Sequence, residues 1–296
     1  MFINAGSIKS LYTGFKTIFN QAFAAETPLW MKVATETKSS TGMETYAWLG
    51  HMPGLREWIG DRVIHALAAH GYTIKNKPFE STVGVPRDAI EDDQYGVFGP
   101  LISEMGRSSA VHPDVLCFGL LTKGFEQLCY DGQPFFDTDH EMEVGGETVS
   151  VSNVQAGGSA PWFLLDTSRA IKPLIYQKRR AYKFVSMTND RDTNVFMQNQ
   201  FLYGVDGRSN AGYGFWQMAF ASKAELNEAN FVAAHQAMTA LKRPNGEGLG
   251  IRPNLLVVGS TNEFKARELL LKERKANGES NTLQGLVDHI VSKHLE

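Results

Sequence analysis

The chain has 296 residues, of which 43% are hydrophobic and 11% aromatic, enough to bury a large core in one or two domains. Its net charge of −3 and pI near 6.3 argue against a dedicated nucleic-acid binder, which would be basic. With only two cysteines, Cys117 and Cys129, a disulfide framework is excluded beyond a single bridge, and reduced thiols are the simpler reading.

In chain order, Ile8, Leu11, Tyr12, Phe15, Ile18, Phe19 and Phe23 follow the three-and-four spacing of one helical face. That face must be buried, either on its own domain or on a neighbouring subunit. Lys9 and Lys16 supply too little positive charge for membrane-surface binding. From Thr27 to Ala89 the pattern is extended, with strand-prone Tyr72, Ile74, Phe79, Thr82, Val83 and Val85, and with Pro78 and Pro86 interrupting any helix. The expectation is a projecting hairpin. Within it, residues 41–64 carry Trp48, Trp58, four glycines and the charge cluster Arg56, Glu57, Asp61 and Arg62, without catalytic or cofactor spacing. Aromatics beside paired charges are the composition of a surface that meets another protein.

Asp92 and Asp93 read as capping acids for a helix bearing Phe98, Leu101, Ile102 and Met105, with Pro100 in its first turn. His112-Pro113-Asp114 is expected to break that run and start a second helix with Leu116, Leu120, Leu121 and Phe125. Residues 141–160 read as a short hairpin and a loop. Asn194–Val205 alternates like a strand, and Tyr213–Phe220 is expected to follow as a second strand across the turn-like stretch G-V-D-G-R-S-N-A-G. A helix at Ala229–Leu241, a buried strand at Leu255–Val258 and a helix through Lys275, opened by a Ser260/Glu263 capping box, complete an α/β layer.

Few residues suggest chemistry. Asp137, Asp139 and His140 could bind a divalent metal or act as acid and base, or equally cap a turn. Glu91, Asp92 and Asp93 offer a cation site, but a helix start already favours acids. Lys172, Lys178, Arg179, Arg180 and Lys183, interleaved with Tyr176, Tyr182 and Phe184, could meet phosphate; a solvated strand face or a salt-bridged interface weighs more. Cys117 and Cys129 lack zinc spacing and read as packing residues. No phosphate loop, nucleophile elbow or H-E-x-x-H is present. The longest apolar run, Val115–Leu121, is too short to cross a membrane, and the start M-F-I-N-A-G-S-I-K-S does not read as a secretion signal.

Several long blocks resemble the major head subunit of Mu-like bacteriophages: T-G-M-E-T-Y-A-W-L-G-H-M-P-G-L-R-E-W-I-G-D-R-V-I at 41–64, Y-T-I-K-N-K-P-F-E-S-T-V at 72–83 and R-D-A-I-E-D-D-Q-Y-G at 87–96. C-Y-D-G-Q-P-F-F-D-T-D-H at 129–140, P-W-F-L-L-D-T-S-R-A-I-K-P-L-I at 161–175 and G-Y-G-F-W-Q-M-A-F at 212–220 extend it from near Met1 to about Val258. The resemblance implies a mixed α+β tailed-phage capsid fold: an amino-terminal arm (1–30), an extended loop region (31–90), a peripheral domain with a spine helix and long strands (91–220, with part of the axial domain possible within 141–190), and an axial-domain helix–strand–helix unit (221–296). It also implies a structural protein without cofactor, metal or catalytic residues, assembled in the host cytoplasm into an icosahedral shell around double-stranded DNA. The implied partners are further copies of the chain, a portal, a scaffold, possible decoration proteins and weakly contacted DNA, but no membrane. A mild net charge suits a wall that should not grip the DNA. Trp48, Arg56, Glu57, Trp58, Asp61, Arg62, Phe15 and Phe19 are the expected inter-subunit contacts. An encapsulin-like compartment and a soluble enzyme using Asp137, Asp139 and His140 are the rival readings. One departure from the usual capsid fold is the helix–strand–helix unit that follows residues 195–220, with a thin match over Asn281–Glu296.

Overall fold

A computed structural model describes residues 4–49, 71–92, 94–275 and 278–295. Helix α1 (Ala5–Ala25) is opened by a reciprocal cap: Asn4 Oδ1 accepts the Ser7 N–H at 2.9 Å, and the Ser7 hydroxyl accepts the Asn4 N–H at 3.0 Å. Its apolar stripe lies on the long helix α4 (Gly99–Lys123). Between them come α2 (Trp30–Val33), β1 (Ala34–Lys38), β2 (Met43–Tyr46), β3 (Tyr72–Lys75), β4 (Lys77–Pro86) and α3 (Arg87–Glu91).

Strands β9 (Leu174–Met187) and β10 (Gln200–Tyr213) form a long antiparallel pair, with helix α5 (Thr193–Gln198) at their junction. Strand β1 joins β9 in parallel and β4 joins β10 antiparallel, giving the sheet order β1-β9-β10-β4. Strand β4 is therefore a sheet edge and not part of a projection. Of the strands between Thr27 and Ala89, β2 and β3 pair apart from that sheet, as a two-stranded unit.

Next to this sheet lies a second one, of order β13-β12-β8-β11-β7. It contains β7 (Val154–Gln155), β8 (Trp162–Leu165), β11 (Ala219–Ser222), β12 (Leu255–Val258) and β13 (Asp288–Val291). Every side chain of β8, β11 and β12 is buried, the pattern of a sheet covered on both faces. Helices α6 (Glu228–Thr239) and α7 (Glu263–Leu271) accompany it. A hairpin of β5 (His140–Val144) and β6 (Glu147–Val151) turns at Gly145 and Gly146, both with positive φ. The fold is mixed α+β, as expected.

Four local expectations are corrected. Pro113 lies inside α4 without breaking it. Tertiary contacts hold the helix across that position: Asp114 accepts the Leu29 and Trp30 N–H groups at 3.1 and 2.7 Å, and His112 meets the Tyr182 hydroxyl. Residues 194–198 are helical, and β10 continues through the stretch read as a turn, its register against β9 shifting between Asp206 and Ser209. Gly207 and Gly212 are there because neighbours lie across the strand: an added Cβ would come within 2.6 Å of the Tyr182 ring or 2.4 Å of the Ile74 side chain. Asp92 closes α3 instead of opening α4, which is entered from a 3-10 turn at Tyr95–Phe98 with no side-chain cap; Asp93 lies outside the described residues. Helix α7 starts at Glu263 after Asn262 and ends at Leu271, short of Lys275.

Candidate assembly surfaces

Phe15 and Phe19, expected at a subunit boundary, are each 3% exposed and packed inside the chain. Phe15 meets Tyr203 of β10 edge-on at 4.9 Å, and Phe19 meets Phe184 of β9 at 5.3 Å. The Tyr12 hydroxyl donates to the Phe184 carbonyl at 3.1 Å, and Arg107 of α4 pairs with Glu26 at 3.1 Å. In this conformation α1 covers its own sheet, because the apolar face of β9 and β10 between α4 and the sheet edge needs a lid. The outward face of α1 consists of residues such as Thr13, Gly14 and Thr17.

Trp48 sits just past β2 and is half-buried. Its ring lies 5.7 Å from Tyr46 and 5.9 Å from Phe215, so it helps fix the hairpin root to the main body. Arg56, Glu57, Trp58, Asp61 and Arg62 lie outside the described residues.

Beneath Trp48 is a polar clamp that sequence reasoning missed. The fully buried Gln177 of β9 donates to the Ile74 carbonyl at 3.0 Å and to Asn76 Oδ1 at 2.8 Å, and accepts from the Tyr46 hydroxyl at 2.8 Å. Asn76 donates onward to the Ser39 hydroxyl at 2.7 Å, which donates to Glu44 at 2.9 Å. The Thr41 N–H, the Ser39 hydroxyl and the Ser40 N–H together hold the Glu44 carboxyl down to about 2. Its parts lie far apart in sequence, so only the alternation of polar residues in β9 hints at it.

The candidate chemical cluster is dispersed. Asp137 Oδ1 accepts the Thr138 N–H at 2.7 Å, capping a turn, and Asp139 is exposed. His140 is fully buried: Nδ1 lies 2.7 Å from Asp131 Oδ2 and the ring stacks on Trp216 at 4.0 Å. Burial alone would raise the Asp131 carboxyl, but hydrogen bonds from His140, Cys129 and the Gln133 N–H bring it below its ordinary value. Burial pushes both the Cys117 and Cys129 thiols up, away from reactivity. Among the described residues no group of three or more His, Cys, Asp and Glu side chains is placed to hold a metal ion. The basic segment is engaged within the chain: Lys178 pairs with Glu36 at 2.6 Å, Arg180 with Asp206, and Arg179 donates to the Ser39 carbonyl. No helix among the described residues is long and apolar enough to cross a membrane.

What remains is a body with a docked helix and a rooted hairpin, and comparison with known proteins decides what it is. The family model described as "Mu-like prophage major head subunit gpT" matches residues 8–295. The chain belongs to that family. It is 43% identical to the major capsid protein of Escherichia phage Mu over 305 residues, covering 100% of both chains. It is 45% identical to the Mu-like prophage FluMu major head subunit of Haemophilus influenzae, covering 91% of this chain and 90% of that one. Among solved structures, the procapsid of bacteriophage JBD30 matches with a TM-score of 0.87 and 48% identity, over 99% of this chain and 100% of that chain. The JBD30 capsid matches with a TM-score of 0.79 and 36% identity over 100% of both. As a Mu-like major head subunit, the chain is a structural capsid protein of an icosahedral phage head, and the encapsulin reading is not favoured.

Proposed function

We propose that this head subunit works by self-association alone: its alternate surfaces engage different copies until a closed shell surrounds double-stranded DNA. The supporting observation is the hairpin root. A buried amide, Gln177, and a ledge of three aromatic rings hold β2 and β3 in a fixed direction. Trp48, Arg56, Glu57, Trp58, Asp61 and Arg62 would then form the clasp on a neighbouring copy. Interfaces of this obligate type bury on the order of 2,000–5,000 Å². In this scheme residues 1–30 act as the arm, 31–90 as the loop region apart from the edge strands β1 and β4, 91–220 as the peripheral domain apart from β7, β8 and β11, which join the axial sheet, and 221–296 as the axial unit, and no turnover of a substrate takes place.

Assembly in the host cytoplasm, with a portal and a scaffold, completes the proposal. Decoration is supported by a relative: a JBD30 capsid that matches with a TM-score of 0.78 and 36% identity over 92% of each chain is described as decorated with minor capsid protein trimers. Packaged DNA would be contacted weakly and without sequence preference, in keeping with the net charge of −3. Negative-stain microscopy of the overexpressed full chain tests the reading, and closed shells are the expected result. A Trp48→Ala/Trp58→Ala double variant should stay soluble and fail to close. Normal shells from it would show that the clasp lies elsewhere.

A further inference from the structure

Three of the four most exposed large apolar side chains among the described residues lie at one end of the four-stranded sheet; the fourth, Phe264, is 80% exposed on α7 beside the other sheet. Phe196 is 80% exposed and Met197 71%, both on α5, and Val97, just before α4, is 70% exposed. The chain holds α5 firmly in this position. Asn194 Nδ2 donates to the Met187 and Gln200 carbonyls at 3.1 and 2.7 Å, and Asn199 takes a left-handed conformation at φ 52°, alone in this among the described non-glycine residues. Further bonds tie α5 to α3: the Arg87 N–H donates to the Asn199 carbonyl at 3.0 Å, and Asn199 Nδ2 donates to Asp88 at 3.0 Å. A rigid knob with two bare apolar side chains is costly in water unless something covers it.

At the same end lies an apolar groove of about 260 Å³ between α1 and the entry to α4. Leu11, Phe15 and Ile18 line it, together with Gly14, Gly96 and Gly99. A Cβ added at Gly14 or Gly96 would meet nothing within 4 Å, so the space is open. We infer that Phe196 and Met197 of one copy seat in the α1–α4 groove of a second copy. The inference deepens the self-assembly reading and rests on it.

Two observations favour a second copy as the occupant. Relatives 48% and 36% identical form shells, so copies of such chains meet one another. Knob and groove also lie at one end of the body: Asn4, Ile8 and Lys9 share a depression with Arg87, Asn189 and Asp190. Two different patches that fit head-to-tail make a heterologous contact, which closes into a ring when the rotation allows it.

The test uses particles of the full chain formed in a host carrying the phage's own head genes. Phe196→Ser removes a ring that touches little, and Gly14→Leu fills the groove while favouring helix. Each should leave the melting temperature of the isolated subunit unchanged or higher, and each should lower particle yield about tenfold or more. In particles carrying Ser10→Cys with Met197→Cys, oxidation should link copies into discrete multimers, while either single variant stays monomeric on a non-reducing gel. Cys117 and Cys129 are buried and do not interfere. Wild-type yield from both Phe196→Ser and Gly14→Leu, or normal particles in which the cysteine pair forms no inter-copy link, overturns the inference and leaves the self-assembly reading standing. Failure of the wild-type chain to form particles at all would remove the self-assembly reading itself.

Discussion

The five-stranded sheet and the four-stranded sheet bury their side chains in different ways. In the first, β8, β11 and β12 are apolar and hidden on both faces. In the second, β9 is buried at its start and then alternates, and the edge strand β4 is mostly exposed. One inner face is covered by α4 and then by α1, a helix that packs on α4 and β9 from outside the sheet. A sheet sealed on both sides opens only with the whole domain, whereas a sheet lidded by one helix can open locally. The same chain therefore combines a fixed centre with a part that can open on its own.

The largest expected effect comes from the sealed sheet. Phe163 is fully buried and packs against Phe125 and Phe136 at 6.2 and 5.4 Å. Phe163→Ala should cost about 3–5 kcal/mol, seen as a loss of global stability in urea with all probes moving together. A loss below about 1 kcal/mol would mean that the two sheets do not differ as argued. Phe15→Ala should cost about 3 kcal/mol locally, because α1 can swing away and avoid keeping the cavity. Hydrogen exchange should show α1 losing protection while the global midpoint moves little. Coincident loss in both would make α1 part of the same cooperative unit as the centre.

Gly106 sharpens the same contrast within one helix. An added Cβ would lie 2.5 Å from the Phe19 carbonyl oxygen, where the backbones of α4 and α1 approach closely, whereas at Gly119 it would meet nothing within 4 Å. Gly106→Ala should weaken α1 docking by about 1–3 kcal/mol, whereas Gly119→Ala should stabilise by up to about 1 kcal/mol through helix propensity. Equal effects at the two sites, read by α1 exchange and by melting, would remove the close approach as the cause.

Much of this was legible along the chain where short-range rules decide. The spacing of Leu11, Phe15 and Phe19 gave α1, and the all-apolar run Leu255–Val258 gave a buried strand. The rules failed where distant contacts override them. Val195 and Met197 alternate like a strand, yet Asn194 and Asn199 bend the segment into a helical turn by bonding to both flanking strands. Pro113 reads as a breaker, but Asp114 and His112 fasten the helix from outside. The surface followed the same division. Phe15 and Phe19 turn inward because α1 has its own sheet to cover, and Gln177 with Asn76 needs partners about a hundred residues apart. Phe196 reads as an ordinary apolar residue until its position at the tip is known.

The smallest expected effect concerns the polar clamp, the point where the four-stranded sheet holds the hairpin. Glu44 Oε1 accepts the Ser40 and Thr41 N–H groups at 2.7 and 3.0 Å and the Ser39 and Thr41 hydroxyls at 2.9 and 3.2 Å. Those bonds exist for the carboxylate, which is why its proton affinity falls from 4.5 to about 2. A depressed folded value means that the contribution is fully present above about 4.5 and is lost as pH falls towards 2. After correction for intrinsic exchange, the Ser40 and Thr41 amides should therefore lose protection between pH 4.5 and 2, while β8 and β12 stay protected through the same range. Glu44→Gln keeps the shape but not the charge, so it should show the weakened protection already at neutral pH and no further change on acidification. If β8 and β12 loosened in parallel with the hairpin root, the clamp would be part of the sealed centre. If Glu44→Gln kept the wild-type pH profile, the carboxylate would not be its source.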